Sequence, residues 1–313
     1  MGKLFFHILF LILSNSFISE VYSSATFTFV NKCQFTVWPG ILSNAGIAPL
    51  PTTGFTLQTG ETRTINAPSS WGGRFWGRTH CSEDSAGKFT CVTGDCGSGK
   101  LECAGGGAAP PATLAEFTLD GDAGKDFYDL SLVDGYNLPM LVAPQGGSGP
   151  NCTKAECVAD LNGSCPSELR VTGAGGEGVA CKSACEAFGG EQYCCSGAYG
   201  TPSACKPTQY SQAFKSACPQ AYSYAYDDLT STFTCTGADY IITFCPSPNT
   251  SQKSSSGPGS GSGSEGGSNS PMDGSMVYEG ALDVSSAPPS TCAHVLGGAV
   301  AVAAAMWRLR HLF

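Results

Sequence analysis

Polar and apolar residues alternate along much of the chain, and the alternation predicts its elements. "ATFTFVNKC" (25–33) and "FTVWPGIL" (35–42) trade faces residue by residue and read as a first hairpin. "GFTLQTGETRTINAP" (54–68) predicts two strands around a turn at Thr59-Gly60. "GRFWGRTHC" (73–81), "TLAEFTLD" (113–120) and "FYDLSLVDGYNLPMLVAP" (127–144) continue the series, and "STFTCTG" (231–237) with "DYIITFC" (239–245) closes it. Short strands separated by turn signals predict a mainly β domain, a sandwich or a barrel. The stretch from 150 to 220 breaks the pattern, being rich in cysteine, glycine and small polar residues. Its best helix is "YSQAFKSAC" (210–218), with Tyr210, Phe214 and Ala217 on one face. Such a stretch has little core of its own and depends on cross-links.

The two ends carry different patterns. Lys3, the apolar run "LFFHILFLIL" (4–13) and the small residues of "VYSSAT" follow the plan of a secretory signal peptide, predicted over 1–24. Residues 25–246 have the composition of one folded domain. From 247 to 287 the chain is Ser/Gly-rich, as in "SQKSSSGPGSGSGSEGGSNSP", and reads as a flexible tether. Ser285, Ser286 and Ala287, a polar spacer and the apolar "VLGGAVAVAAAMW" (295–307) together resemble a GPI-anchor signal. Ser285 is the expected attachment residue and 288–313 the expected propeptide. The expected location is therefore extracellular, on the outer face of the plasma membrane, with a soluble apoplastic protein as the alternative.

Cysteine changes the picture most. Of 17 cysteines, all but Cys292 lie between Cys33 and Cys245, and Cys292 falls in the segment that anchoring would discard. Cys91, Cys96 and Cys103 cluster in "CVTGDCGSGKLEC" (91–103), but the domain has no C-x2-C pair and a single histidine, His80. No metal and no cofactor are expected on that pattern. An exported chain makes structural disulfides the default. Spacing alone does not give their pairing. Asp95 in this run reads as a turn residue that bonds nearby backbone.

Charge narrows the partners. Residues 25–245 hold 20 acidic and 12 basic side chains, a net charge of −8. That sign argues against nucleic acid. It leaves neutral carbohydrate or a cationic protein open.

The run "GKFTCVTGDCGSGKLEC" (87–103) resembles the signature of the thaumatin-like, or pathogenesis-related group 5, plant proteins. The similarity extends through "PPATLAEFTL", "DFYDLSLVDGYNLPM", "QYCCSGAYGTPSACKPTQYSQAFKSACPQAYSYAYDD" and "TFTCTGADYIITFCP", nearly all of 25–246. It implies a thaumatin-like flattened β-sandwich, a disulfide-rich looped domain and a small third lobe. It also implies the pairs Cys33–Cys245, Cys81–Cys91, Cys96–Cys103, Cys152–Cys235, Cys157–Cys218, Cys165–Cys181, Cys185–Cys194 and Cys195–Cys205.

The resemblance further implies an acidic cleft lined by Arg74, Glu116, Asp129, Asp134 and Asp228. Paired carboxylates suit glycoside hydrolysis, with Glu116 as acid and Asp129 as second carboxylate. Arg74 is expected to keep a neighbouring carboxylate ionised. Binding of β-1,3-glucan, from fungal wall or callose, is the expected function of a plant defence protein of this kind. A weak endo-β-1,3-glucanase and a structural or signalling protein at the wall–membrane boundary are the alternatives. A basic fungal surface protein is a second possible partner, and a monomer is expected. Phe75, Phe117, Tyr128 and Tyr136 flank the acidic positions and read as core, with stacking on sugars as the alternative. Sequons stand at Asn151, Asn162 and Asn249.

Overall fold

The computed structural model describes residues 23–246. Residues 1–22 of the expected export signal, the expected tether, the expected anchor signal with Ser285, Cys292 and the sequon at Asn249 lie outside the described residues, whereas Ser23 and Ser24 begin the first strand.

Twelve strands form in chain order: β1 (Ser23–Asn31), β2 (Trp38–Ser43), β3 (Thr62–Pro68), β4 (Gly72–Glu83), β5 (Phe89–Thr93), β6 (Leu114–Thr118), β7 (Asp126–Ser131), β8 (Met140–Ser148), β9 (Ala155–Cys157), β10 (Arg170–Thr172), β11 (Gly178–Cys181) and β12 (Phe233–Phe244). Ten of them make one curled sheet whose main path runs β2-β4-β6-β7-β12-β1-β3. β12 turns the corner between two layers. Its first residues, Phe233–Cys235, pair with β7, whereas Thr236–Phe244 pair with β8. On its other edge β12 runs parallel to β1.

Between the layers lies an aromatic core. The ring of Phe27 on β1 meets Phe75 on β4 at 4.7 Å and Phe117 on β6 at 4.8 Å, both edge-on. Phe117 meets Tyr240 on β12 at 5.0 Å. Edge-to-face rings at this spacing add specific attraction to the burial of large apolar area. Fold class and layering thus match the expected flattened sandwich.

Local pairing differs from the sequence pattern in several places. Residues 25–33 and 35–42 do not form a hairpin, because β1 pairs with β3 and β12 while β2 pairs with β4. Asn31 makes the corner: its amide donates to Phe35 O and Leu57 O, both at 2.9 Å, and its oxygen accepts from Cys33 N. Residues 54–57 form only single bridges, Gly40↔Gly54 and Val37↔Leu57, so one strand and not two comes from 54–68. The 127–144 run is split by a loop, 132–139, that carries Asp134. In the helix Gln209–Ala217 the buried side chains are Ser211 and Phe214, with Tyr210 packed beside them, and Ala217 faces solvent.

A small third lobe grows from the far end of β4, where Thr79 and Cys81 pair with Thr93 and Cys91 of β5. Trp76, Cys96, Cys103, Ala112 and Leu114 form its own core. Arg78 is wholly buried there and donates to the backbone oxygens of Trp38, Pro39 and Leu101. Burial lowers the Arg78 guanidinium to about 10. Asp95 caps the turn of "TGDCG": its carboxylate accepts from Cys91 N and Gly97 N, both at 2.7 Å. His80 lies within β4, exposed, with a left-handed φ of 51° and its ring stacked on Phe35.

Eight disulfides complete the body, in the same pairs that the resemblance implies: Cys33–Cys245, Cys81–Cys91, Cys96–Cys103, Cys152–Cys235, Cys157–Cys218, Cys165–Cys181, Cys185–Cys194 and Cys195–Cys205. The looped region around residues 150–220 is not a separate core. Its Leu161, Leu169 and Phe214 belong to the main apolar cluster.

Candidate functional site

Three strands place the centre of the site. Arg74 of β4 stands opposite Glu116 of β6, and Glu116 opposite Asp129 of β7. Residues in register on neighbouring strands point to the same face. Their chain neighbours Phe75, Phe117 and Tyr128 point the other way, and each is at most 3% exposed in the core. The aromatic side chains, with Tyr136 equally buried, therefore do not line the site, and the sugar-stacking alternative fails for them. One sheet face is greasy and the other carries a charged row.

Two further segments bring their carboxylates to this row. Tyr222 N donates to Leu130 O and Leu132 N to Tyr222 O, so residues 222–228 lie along the end of β7. The Tyr222 hydroxyl donates to Asp228 Oδ1 at 2.9 Å, and the Asp228 charge reaches Asp129. Lys215 secures the same segment, with its ammonium 2.9 Å from Asp227 and 2.8 Å from Ser231 Oγ. On the other side, Tyr136 exchanges two backbone bonds of 2.8 Å with Cys181. Gly135 permits that approach. Its φ is +85°, and a Cβ there would stand 2.6 Å from Cys181 O and 3.2 Å from Ser183 N. Asp134, next to this glycine, consequently acts on both Glu116 and Glu186.

Electrostatics distinguish the central groups. Burial raises the Glu116 carboxyl from 4.5 to about 7, with Arg74 opposing the rise and Asp134 adding to it. Burial, then the charges of Glu116 and Asp228, raise Asp129 well above the ordinary carboxylate range. Each influences the titration of the other, and burial favours the protonated form of both. Arg74 therefore does not keep its neighbour ionised as expected, because desolvation exceeds the attraction. Its Nε lies 3.6 Å from Glu116 Oε1, an ion-pair distance without a hydrogen bond. Tyr222 is buried beside the carboxylates, and burial followed by Asp129 pushes its phenol up.

All five expected cleft residues thus come into one electrostatic neighbourhood. Three others were not expected. Glu186 sits in the helix Ala184–Phe188, where burial lifts it from 4.5 to about 7, opposed by Lys182 and reinforced by Asp134. Lys182 Nζ stands 3.8 Å from Glu186 Oε1. Tyr222 is the third. The only available signal for Glu186 was Ser183-x-x-Glu186, which reads as a capping box. Ser183 does accept from Glu186 N, but the glutamate turns its carboxylate to Lys182 instead.

No group of three or more potential metal ligands exists among the described residues. Of the sequons, Asn151 is exposed, with its amide on Thr232 O. The Asn162 amide donates to Asn137 O and Val179 O, so a glycan on that nitrogen, which replaces one of its two N–H groups, would break one of these bonds.

Comparison with known proteins agrees with this architecture. Residues 31–246 match the Thaumatin family. Thaumatin-like protein 1 of Arabidopsis thaliana is 60% identical over 250 residues, covering 78% of this chain and 92% of its own. The pathogenesis-related thaumatin-like protein 3.5 of Cryptomeria japonica is 60% identical over 224 residues, covering 72% of this chain and 91% of its own. The PR5-like receptor kinase of Arabidopsis thaliana is 54% identical over 243 residues, which are 76% of this chain but only 36% of that longer protein. On these grounds the chain belongs to the Thaumatin family, among its thaumatin-like, pathogenesis-related members.

Proposed function

We propose that this protein is an extracellular defence protein that binds β-1,3-glucan through the acidic row, without hydrolysing it. The observation that carries this reading is the register Arg74–Glu116–Asp129 across three strands, with burial raising the Glu116 carboxyl to about 7 and Asp129 well above the ordinary carboxylate range. A carboxyl that shares a proton both donates and accepts, which suits sugar hydroxyls. It also weakens the cleft's pull on a basic protein. Hydrolysis asks for one protonated acid and one ionised carboxylate at the working pH. Here burial raises both carboxyls, which disfavours the ionised partner that hydrolysis requires.

The same domain stands in a relative named as a receptor kinase, which supports recognition as its task. Residues 1–24 serve as the export signal, 247–287 as a tether, and Ser285 as the anchor site. Eight disulfides fit the oxidising exterior. Affinity capture on immobilised β-1,3-glucan tests the reading: the wild type is retained, and Glu116→Gln is retained less. Release of reducing sugar by the wild type, abolished in Glu116→Gln, would overturn the non-catalytic part. Membrane-bound protein that resists phosphatidylinositol-specific phospholipase would overturn the anchor.

A further inference from the structure

Glu186, partly buried in the looped region, shares the influence of Asp134 with Glu116. It is held by the helix Ala184–Phe188, which Ser183 caps, and by the Tyr136–Cys181 bridge that brings Asp134 alongside. Its Oε1 is only loosely paired with Lys182 at 3.8 Å, and its Oε2 is buried without a hydrogen-bond partner. Arg74 Nε is likewise buried without a hydrogen bond, at 3.6 Å from Glu116 Oε1. Asp129 is 3% exposed, and charge and burial alone act on its carboxyl, with no hydrogen bond among the described residues. Buried polar atoms are nearly always bonded, and an unmet carboxylate oxygen beside a charged row points to a group that arrives later; Asn162 Oδ1 and Gln220 Oε1 are also unmet, but neither is a charged group. A structural ion pair would close its geometry; this one leaves an oxygen waiting.

Two series of interacting charges meet at Glu116. One runs from Glu116 through Asp129 to Asp228, and the other from Glu116 through Asp134 to Glu186 and Lys182. Donors stand at both places, Arg74 beside Glu116 and Lys182 beside Glu186. Carboxyls flanked by cationic donors match a chain of neutral hydroxyl-bearing units better than a compact cation, which would want carboxylates alone.

We propose that Glu186, with Lys182, forms an outer subsite that contacts a second stretch of a bound β-1,3-glucan chain, beyond the sugar held at Arg74, Glu116 and Asp129. This rests on the glucan-binding reading given above. It makes the looped region a determinant of ligand length, not only a scaffold.

Calorimetric titration with a β-1,3-linked disaccharide and a hexasaccharide tests the assignment. Wild type, Glu186→Ala, Glu186→Gln and Glu116→Gln are compared. Glu186→Ala should bind the hexasaccharide about tenfold more weakly, the scale of one lost charged hydrogen bond. It should leave the disaccharide unchanged, while Glu116→Gln weakens both. Glu186→Gln, which keeps shape and an acceptor, should fall between, and it carries the comparison should the alanine variant not fold. Unchanged hexasaccharide binding in both Glu186 variants overturns the subsite and leaves the glucan reading standing. Equal losses for both sugar lengths also overturn it, since a disturbed fold acts so. Failure of the wild type to bind either sugar, or capture of a cationic polypeptide in their place, overturns both readings.

Discussion

Replacing Glu116 by glutamine should stabilise the protein in alkaline solution and do so by an amount that depends on pH. The native carboxyl is held at about 7 against an ordinary 4.5. A raised native pKa means that the folded state binds the proton more tightly than the unfolded chain. The resulting stability is full below about 4.5, falls as pH rises, and is gone above about 7. At 1.36 kcal/mol per pH unit the whole difference is about 3 kcal/mol. Glutamine, neutral throughout, imitates the protonated acid and escapes this loss. Subtracting the effect of the substitution at pH 4 from that at pH 8 removes the fixed cost of exchanging one side chain for another. In a domain of this size that difference corresponds to roughly 10 °C in Tm. Asp129 adds in the same direction, because the Glu116 charge is among the causes of its own rise. Scanning calorimetry of both proteins from pH 4 to pH 8 gives the two curves. They should converge in acid and separate in base, with the variant higher. Parallel curves, or a variant gaining only in acid, would refute the assignment of a buried and proton-holding Glu116.

Three other perturbations follow from the contacts. Asp95→Ala removes the acceptor for Cys91 N and Gly97 N, and a cost of about 2 kcal/mol is expected in urea unfolding, with glucan retention unchanged. Lys215→Ala frees the segment that carries Asp228 by removing bonds to Asp227, Ser231 and Ala221 O; protease cleavage between 222 and 231 should speed up and glucan capture should fall together. Replacing both Cys33 and Cys245 by serine opens a loop of sequence separation 212, for which chain entropy gives about 5 kcal/mol, read as a lower midpoint in urea.

The alternation that predicted the strands also contained the site, though only in one dimension. Arg74 beside Phe75, Glu116 beside Phe117 and Asp129 beside Tyr128 each announce a strand with one face buried and one charged. Which of these charges meet was not readable, because register depends on the partner strand and not on the strand itself. The mistaken first hairpin has the same origin. Nothing within residues 25–42 shows that β12, some two hundred residues later, will take the edge of β1 that a hairpin needs. Resemblance supplied the pairing of cysteines and the five cleft positions, which spacing did not. It did not supply Glu186, whose Ser-x-x-Glu spacing looks like ordinary helix capping and whose neighbour Asp134 arrives through a glycine contact with Cys181. Local pattern thus reports which face a residue takes, whereas the pKa of that residue is set by how the rest of the fold buries it. Glu116 and Glu186 both reach about 7 chiefly through burial, with Asp134 adding to each from 18 positions away in one case and 52 in the other. Glu186 Oε2 and Arg74 Nε are two of the four buried side-chain atoms without a hydrogen bond among the described residues, with Asn162 Oδ1 and Gln220 Oε1. Such departures from the fully bonded solution concentrate where a protein gives up stability for function, and the two charged ones both belong to groups that act on the carboxyls of the acidic row or share their neighbour Asp134.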